Sequence, residues 1–347
     1  MKQQNLRSTW MIIFVMIFLA SSPTTAALAS PDAKLQDASS GAASQQGQDL
    51  ERIRFARGTT SAVVSDDLAA KKSDRYILRA MAGQLMDVTL SDSEGAKLSV
   101  TTESGRALKA ITSSSTSFRG YLPSNGNYIL TVKAGRKATS YSLSVSIPER
   151  ISFERGTTSA TIEDDLGEAR SHDYILRAGE GQLMEINVES DDPDEDLQLI
   201  IYGVDGTVLR SGMGEGSSFR GELPEDQDYV VTVRAEEDDV SFTMDVIIPV
   251  RIKFDPGDDS DSEKGKLKAY RSQYYVLRAL KNQTMQVDVT SGGDVQLIIY
   301  GADGTVLKSG MGEGASFKGK LPGTQDYVLV VRSGAKSVSY TLRVKVR

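Results

Sequence analysis

The chain repeats one pattern three times at intervals of about 100 residues. The clearest marker is a Leu-Pro pair followed by a tyrosine, at Tyr128, Tyr229 and Tyr327. Two further markers recur in the same order: Tyr-(Ile/Val)-Leu-Arg-Ala, starting at Tyr76, Tyr174 and Tyr275, and Ser-Phe-(Arg/Lys)-Gly, starting at Ser117, Ser218 and Ser316. A repeat of this length exceeds a solenoid unit and can bury its own core. The sequence therefore predicts three whole domains in series.

Within each repeat the apolar residues alternate with polar ones. Residues 128–132 and 141–147 of the first repeat both follow this period of two, which is typical of a strand with one buried face. Asp205-Gly206 and Asp303-Gly304 are hairpin-turn signals between such strands. We predict an all-β chain made of three tandem antiparallel, jelly-roll-like β-sandwiches. Their predicted boundaries are residues 51–148, 149–249 and 250–347.

The N-terminal residues resemble an export signal. Lys2 and Arg7 precede an apolar run over residues 10–20, and Ala27-Leu28-Ala29 has the small-x-small pattern that signal peptidase cleaves. The run is shorter than the ~20 residues that a membrane-spanning helix requires. We predict a signal peptide over residues 1–29, cleaved after Ala29, and a flexible linker over residues 30–50. The mature protein is then periplasmic or secreted, with no transmembrane segment.

Composition narrows the chemistry. The chain has no cysteine and one histidine, His172, which excludes a thiol nucleophile and removes the usual ligands of zinc sites. His172 precedes a predicted strand, and we interpret it as a loop residue. The sequence predicts a binding or inhibitory protein rather than an enzyme, with no cofactor, no metal and no nucleic-acid partner.

A second set of motifs resembles a known family. Phe-x-x-Gly-x-x-Ser-Ala occurs at residues 55–62 and 153–160, and Gly-Gln follows at 83–84 and 181–182. Together with Leu-Pro-x4-Tyr, these motifs resemble the bacterial periplasmic inhibitors of g-type lysozyme and the wider group of pre-peptidase C-terminal β-sandwich modules. The third repeat departs from the pattern, with Asp258-Asp259-Ser260 and with Asn282 in place of the glycine. Inhibitors of this group are typically single-domain, so the threefold array is a further departure.

The resemblance implies a lysozyme partner. In such an inhibitor a loop end of the sandwich enters the glycan cleft of the enzyme and excludes peptidoglycan. The charge distribution agrees with a cationic partner: the whole chain carries a net charge of -7, but the second repeat carries -19 while the first and third each carry +6. The same asymmetry is also compatible with solubilisation, or with docking between oppositely charged repeats.

Two loops are candidate sites. Candidate partner-binding residues lie in the repeated Ser-Gly-Met-Gly-Glu-Gly segment: Ser211, Gly212, Met213, Gly214, Glu215, Ser309, Gly310, Met311, Gly312 and Glu313. A long hairpin loop copied by duplication is an equally good interpretation of this segment. The second loop is an acidic run whose oxygens make a weak calcium candidate: Asp191, Asp192, Asp194 and Asp196. A solvated loop remains the simpler interpretation of that run, because it lacks the spacing of a calcium-binding loop.

Two functions from different classes fit these features. The first is an exported inhibitor-like protein that binds a lysozyme or another cationic protein acting on the cell envelope. The second is a structural or glycan-binding array that attaches to peptidoglycan or polysaccharide, with weak sites multiplied by three modules.

Overall fold

The computed structural model describes residues 50–92, 94–167, 171–192, 195–212, 216–236, 240–310 and 314–347. The predicted signal peptide and nearly all of the predicted linker lie outside these residues. The described part of the chain forms β-strands joined by turns and loops, as the period of two predicted. None of its segments is an apolar helix of membrane-spanning length.

The strands divide into three sets of nine, and each set defines a module. Module 1 contains β1 (Leu50–Arg52), β2 (Ser61–Leu68), β3 (Ser73–Ala80), β4 (Leu85–Asp92), β5 (Lys97–Thr102), β6 (Ala107–Lys109), β7 (Ser117–Tyr121), β8 (Gly126–Lys133) and β9 (Thr139–Ser146). Module 2 contains β10 (Glu149–Arg150), β11 (Ser159–Asp165), β12 (Ser171–Ala178), β13 (Leu183–Ser190), β14 (Gln198–Gly203), β15 (Val208–Arg210), β16 (Ser218–Glu222), β17 (Gln227–Arg234) and β18 (Ser241–Ile247). Module 3 contains β19 (Val250–Arg251), β20 (Ser260–Leu267), β21 (Ser272–Ala279), β22 (Thr284–Ser291), β23 (Val295–Gly301), β24 (Val306–Lys308), β25 (Ser316–Lys320), β26 (Gln325–Ser333) and β27 (Val338–Val346).

Each module is a sandwich of a five-stranded and a four-stranded sheet. The sheet orders are β1-β3-β8-β5-β6 and β2-β9-β4-β7 in module 1, β10-β12-β17-β14-β15 and β11-β18-β13-β16 in module 2, and β19-β21-β26-β23-β24 and β20-β27-β22-β25 in module 3. The strand order is the same in all three modules, which confirms the predicted fold class. One pairing in each module is parallel: the short first strand (β1, β10 or β19) forms the edge of the five-stranded sheet beside the third strand.

Each sandwich encloses its own apolar core. The alternation along β8 has the predicted consequence, since Tyr128, Leu130 and Val132 are fully buried between the sheets. The repeated tyrosine also has a structural role. The hydroxyl of Tyr229 donates to the carbonyl of Glu225 at 2.7 Å and accepts from its N–H at 3.2 Å. Equivalent bonds form at Tyr128 and Tyr327, so this tyrosine closes the same loop in every module.

The modules contact each other directly through apolar side chains. At the junction of modules 1 and 2, Leu85 packs against Ile175 and Val230. The guanidinium of Arg119 lies 4.7 Å from the ring centre of Tyr202, which is cation–π distance. Ile175 and Val230 point away from their own core, and module 1 buries them instead.

The junction of modules 2 and 3 repeats the same design. Leu183 packs against Val276 and Val328, and Arg220 lies 4.9 Å from the ring centre of Tyr300. Each of these residues stands at the position of its counterpart in the first junction. One head-to-tail interface is therefore used twice.

A buried carboxylate completes each junction. Asp228 of module 2 accepts hydrogen bonds from Arg150, at 2.8 Å, and from Tyr121 of module 1. At the second junction Asp326 accepts from Arg251 at 2.7 Å. Arg150 and Arg251 lie in the first strand of their modules, directly after the connection from the preceding module. Their bonds to Asp228 and Asp326 therefore attach that connection to the five-stranded sheet of the module that follows it.

Candidate functional site

A cleft of about 670 Å³ opens at one end of module 2. Three connections contribute described residues to its walls. These are Asp192, Glu195, Asp196 and Leu197 between β13 and β14, Gly212, Gly216 and Ser217 between β15 and β16, and Glu236 between β17 and β18. β13 belongs to the four-stranded sheet, whereas β14, β15 and β17 belong to the five-stranded sheet. Both sheets of the sandwich therefore present residues at the cleft, which we name the acidic cleft.

Carboxylates dominate the polar lining of the acidic cleft. They are Glu189, Asp192, Glu195, Asp196 and Glu236. The loops that carry these carboxylates are attached to the core of module 2, because Leu197 and Val240 at the ends of two of the loops are buried in it. Such a concentration of negative charge in a concave site attracts a cationic partner and speeds its association.

The loops of the cleft are tied to each other. The N–H of Glu236 donates to Glu195 Oε1 at 3.0 Å, which joins the β17–β18 connection to the acidic loop. The N–H of Asp192 donates to the Ser190 hydroxyl at 3.1 Å. A cleft whose loops are fixed in advance loses less entropy when a partner binds.

Glycine is required where the β15–β16 connection leaves its sheet. Gly212 has a φ of +82°, and a Cβ at this position would lie 2.6 Å from Cγ1 of Ile200. Gly310 of module 3 has the same geometry against Ile298. On the far side of the loop, Arg210 donates to the carbonyl of Gly216 at 2.6 Å. The start of the loop is thus packed against β14, and the Arg210 side chain holds the carbonyl of Gly216 near its end.

The two candidate sites from the sequence meet in this cleft. Gly212, Asp192 and Asp196 line it together. Asp191 and Ser211 are exposed beside it, and Ser309 and Gly310 occupy the equivalent loop of module 3. Met213, Gly214, Glu215, Met311, Gly312, Glu313 and Asp194 lie outside the described residues. The calcium prediction, which includes Asp194, therefore stays a prediction.

Three of the five lining carboxylates were not among the predicted site residues. Glu189 is near the end of β13, Glu195 is the last residue but one of the acidic run, and Glu236 lies some forty residues further along the chain. The net charge of module 2 indicated that many carboxylates are present, but a total charge does not show which of them lie together in the fold.

Among the described residues, the same end of the fold is less acidic in the other modules. In module 1 the connection between β8 and β9 carries Arg136 and Lys137, and Lys137 pairs with Glu94 at 2.9 Å. In module 3 the corresponding connection carries Lys336, and Gly292 and Gly293 occupy the turn where module 2 has its acidic loop. The acidic cleft is therefore a difference between modules of one fold, located in its loops.

No protein-family model matches the chain, and no curated protein matches it. Among solved structures, the chain is similar to PliG of Aeromonas hydrophila, a periplasmic inhibitor of g-type lysozyme, with 27% identity and a TM-score of 0.26. That match covers 28% of this chain and 95% of the inhibitor. PliG of Salmonella Typhimurium matches at 20% identity over 28% of this chain and 97% of its own, with a TM-score of 0.23. Each match has about the length of one module, and both proteins belong to the group that the repeat motifs resemble.

A larger cleft, of about 880 Å³, lies between modules 1 and 2. Its charged lining consists of Arg79, Arg150 and Glu149, while Met81 and Phe55 contribute apolar surface. Charges of both signs give it no preference for a cationic partner. The acidic cleft is for that reason the stronger candidate for the binding suggested by charge.

Proposed function

We propose that the chain is an exported binding protein that inhibits a g-type lysozyme by docking the acidic cleft of module 2 onto the enzyme. The observation that carries this proposal is the convergence of five carboxylates, from separate parts of module 2, in one cleft. The motif resemblance to periplasmic inhibitors of g-type lysozyme supports the choice of partner. In this arrangement the loops around the cleft obstruct the glycan site of the enzyme.

The charge distribution supports module 2 as the inhibitory module. Its net charge of -19 contrasts with +6 for each neighbour, and the three modules share one fold. Modules 1 and 3 hold module 2 through the two repeated junctions, so the acidic cleft is presented on a supported central domain. A long-range attraction of this kind is screened by salt, over a Debye length of about 10 Å at 0.1 M.

The first test is enzymatic. Turnover of peptidoglycan by a g-type lysozyme is measured with and without the purified mature protein, at low and at physiological salt. We expect inhibition that weakens as the salt concentration rises, because association depends on exposed charges. An excess of protein without effect at low salt contradicts the proposal.

Charge reversal locates the binding surface. Asp192→Lys combined with Asp196→Lys changes two exposed positions in the acidic cleft. Glu163→Lys combined with Glu225→Lys makes the same change of charge at exposed positions of module 2 outside it. Each lost charge contact contributes ~0.2–1 kcal/mol and each new cation adds repulsion, so we expect the cleft variant to inhibit about tenfold less well. Equal losses in the two variants would show that only total charge matters.

The alternative function predicts a different result. If the chain is a glycan-binding array, the protein sediments with purified peptidoglycan and leaves lysozyme turnover unchanged at every salt concentration. Multivalent attachment also requires the intact three-module chain, since each weak site gains from its neighbours.

A further inference from the structure

His172 has an unusual environment for a histidine. It lies inside β12, which corrects its interpretation as a loop residue, and it is only 3% exposed. Its ring stacks on Tyr174, with 4.4 Å between ring centres and 11° between the planes. Within the described part of the chain, neither ring nitrogen has a hydrogen-bond partner. A buried polar group without a partner is costly, so the site is incomplete as it stands.

Two carboxylates face this ring. Nε2 of His172 is 3.5 Å from Oε2 of Glu149, and Nδ1 is 3.3 Å from Oδ2 of Asp164. One donor atom from each of the three residues lies within 4.8 Å of the other two. The residues come from three separate strands: β10 and β12 in one sheet, and β11 in the other.

The equivalent residues of module 1 have a different set of partners. By strand register, Glu51, Asp66 and Asp74 correspond to Glu149, Asp164 and His172. There the hydroxyl of Tyr141 donates to Asp74 at 2.8 Å and also contacts Tyr76, so the polar groups are satisfied within the protein.

Module 2 lacks that hydroxyl. Phe242 stands at the position of Tyr141, paired with Asp164 across the four-stranded sheet. Module 3 retains the hydroxyl, since Tyr340 bonds Tyr275 at 2.7 Å, and carries no acid or histidine in the other places. Its residues there are Val250, Gly265 and Gln273. Module 2 therefore combines two carboxylates with an imidazole, and within the described residues neither nitrogen of that imidazole has a hydrogen-bond partner.

We propose that Glu149, Asp164 and His172 bind a divalent transition-metal ion, with Zn²⁺ as the best fit. Imidazole nitrogen and carboxylate oxygen are both zinc ligands, and three protein ligands leave one coordination position for water. The hydroxyl of Tyr174 donates to Oδ2 of Asp164 at 2.7 Å, the kind of outer contact that orients a metal-binding carboxylate. The side chain of Glu149 is 65% exposed, which gives an ion a path from solvent.

The ion would connect parts of the fold that the sheets leave separate. β10 and β11 are edge strands of opposite sheets, so an ion held by Glu149 and Asp164 closes one edge of the module 2 sandwich. Glu149 also directly follows Pro148 at the junction with module 1. Metal binding is thus expected to stabilise module 2 and the point where the chain enters it, since a ligand stabilises the state that binds it.

The test measures metal binding by the untagged mature protein. After removal of bound metal with a chelator, isothermal titration with Zn²⁺ should give one site per chain, and Zn²⁺ should raise the temperature of unfolding. Co²⁺ should produce the visible absorption of a low-symmetry site containing nitrogen. Ca²⁺, which favours six to eight oxygen ligands, should have no comparable effect.

Two variants and a matched control assign the site. His172→Gln introduces the residue that module 3 carries, and Glu149→Gln changes an exposed side chain without disturbing the core. Loss of a partner outside the coordination sphere typically costs 10–100-fold in metal affinity, so each variant should weaken Zn²⁺ binding by at least that factor. Glu51→Gln, the module 1 counterpart of Glu149→Gln, should leave binding unchanged. Zn²⁺ affinity that survives both variants, or the absence of any binding, overturns the proposal and leaves His172 as an imidazole held between two carboxylates.

Discussion

At the scale of single residues, the junction of modules 1 and 2 contains a buried carboxylate that is hydrogen-bonded to residues of both modules. Asp228 is 5% exposed, and its carboxylate accepts from the guanidinium of Arg150 and the hydroxyl of Tyr121. Burial raises the pKa of Asp228, but the hydrogen bonds from Arg150 and Tyr121 together lower it by more, so this pKa lies below its usual value. Burial and the bond to Asp228 raise the pKa of Tyr121 to about 12.

This arrangement predicts a pH dependence for the stability of the junction. A carboxyl with a depressed pKa stabilises the folded state above its ordinary pKa of 3.8 and loses that contribution as the pH falls through the lower, folded value. The contribution should therefore be complete at pH 5 and decline below pH 3.8. Urea unfolding between pH 3 and 7 measures it, with Asp228→Asn as the comparison.

Asp228→Asn should lower the free energy of unfolding at pH 7 by about 1–3 kcal/mol, because it leaves Arg150 without its buried partner. It should also flatten the decline at acidic pH, since the titrating group is gone. Identical pH profiles for the variant and the unmodified protein would contradict this account of the junction.

At the scale of elements, strand alternation and turn glycines determine most of the local structure. The alternating residues of β8 point into the core of module 1, as the period of two predicted. The same alternation in β12 and β17 leaves Ile175 and Val230 on the outer face, yet both are buried because module 1 covers them. Periodicity therefore identifies the face of a strand but gives no indication of whether another domain lies against that face.

Substitutions at two glycines in the loops of module 2 distinguish the cost of a left-handed backbone from the cost of a steric clash. Gly206 and Gly212 both have positive φ, but a Cβ on Gly206 meets no atom within 4 Å whereas a Cβ on Gly212 meets Ile200. Gly206→Ala should cost ~1–2 kcal/mol from the left-handed backbone alone. Gly212→Ala should cost at least ~1 kcal/mol more, because side chains forced into a packed site add strain.

Thermal and urea unfolding compare the two glycine variants, and the lysozyme assay reports on the cleft. Only Gly212→Ala should also reduce inhibition, since Gly212 lines the acidic cleft. Equal destabilisation by the two substitutions would show that the approach to Ile200 relaxes without cost.

At the scale of the whole molecule, the same interface joins module 1 to module 2 and module 2 to module 3. The outward-facing ends of modules 1 and 3 lack some of the residues that form it. A head-to-tail contact can propagate without limit unless its ends are changed. Module 3 has Thr284 where modules 1 and 2 have Leu85 and Leu183. Module 1 has Thr101 where module 2 has Tyr202. These substitutions remove apolar side chains that the two junctions use.

The substitution found in module 3 should weaken the second junction when it is moved to module 2. Leu183 is 4% exposed, and Leu183→Thr removes most of its apolar contact with module 3, at a cost of ~1–3 kcal/mol. Small-angle X-ray scattering should then show a larger radius of gyration, and proteases should cut more readily between β18 and β19. Val208→Thr, at a position that is 64% exposed, is the control and should change neither measurement.

The sequence by itself determined the three sandwiches and the inward faces of their strands. These features follow from local patterns, because side-chain alternation and turn residues act over a few positions. It also identified module 2 and two of its loops through their charge and glycine content. Only the tertiary structure brought Glu189 and Glu236 beside those loops, and only it placed Glu149 and Asp164 around His172. The physical reason is that such neighbours come from strands distant in the chain, so their proximity depends on sheet order and on packing between sheets and modules.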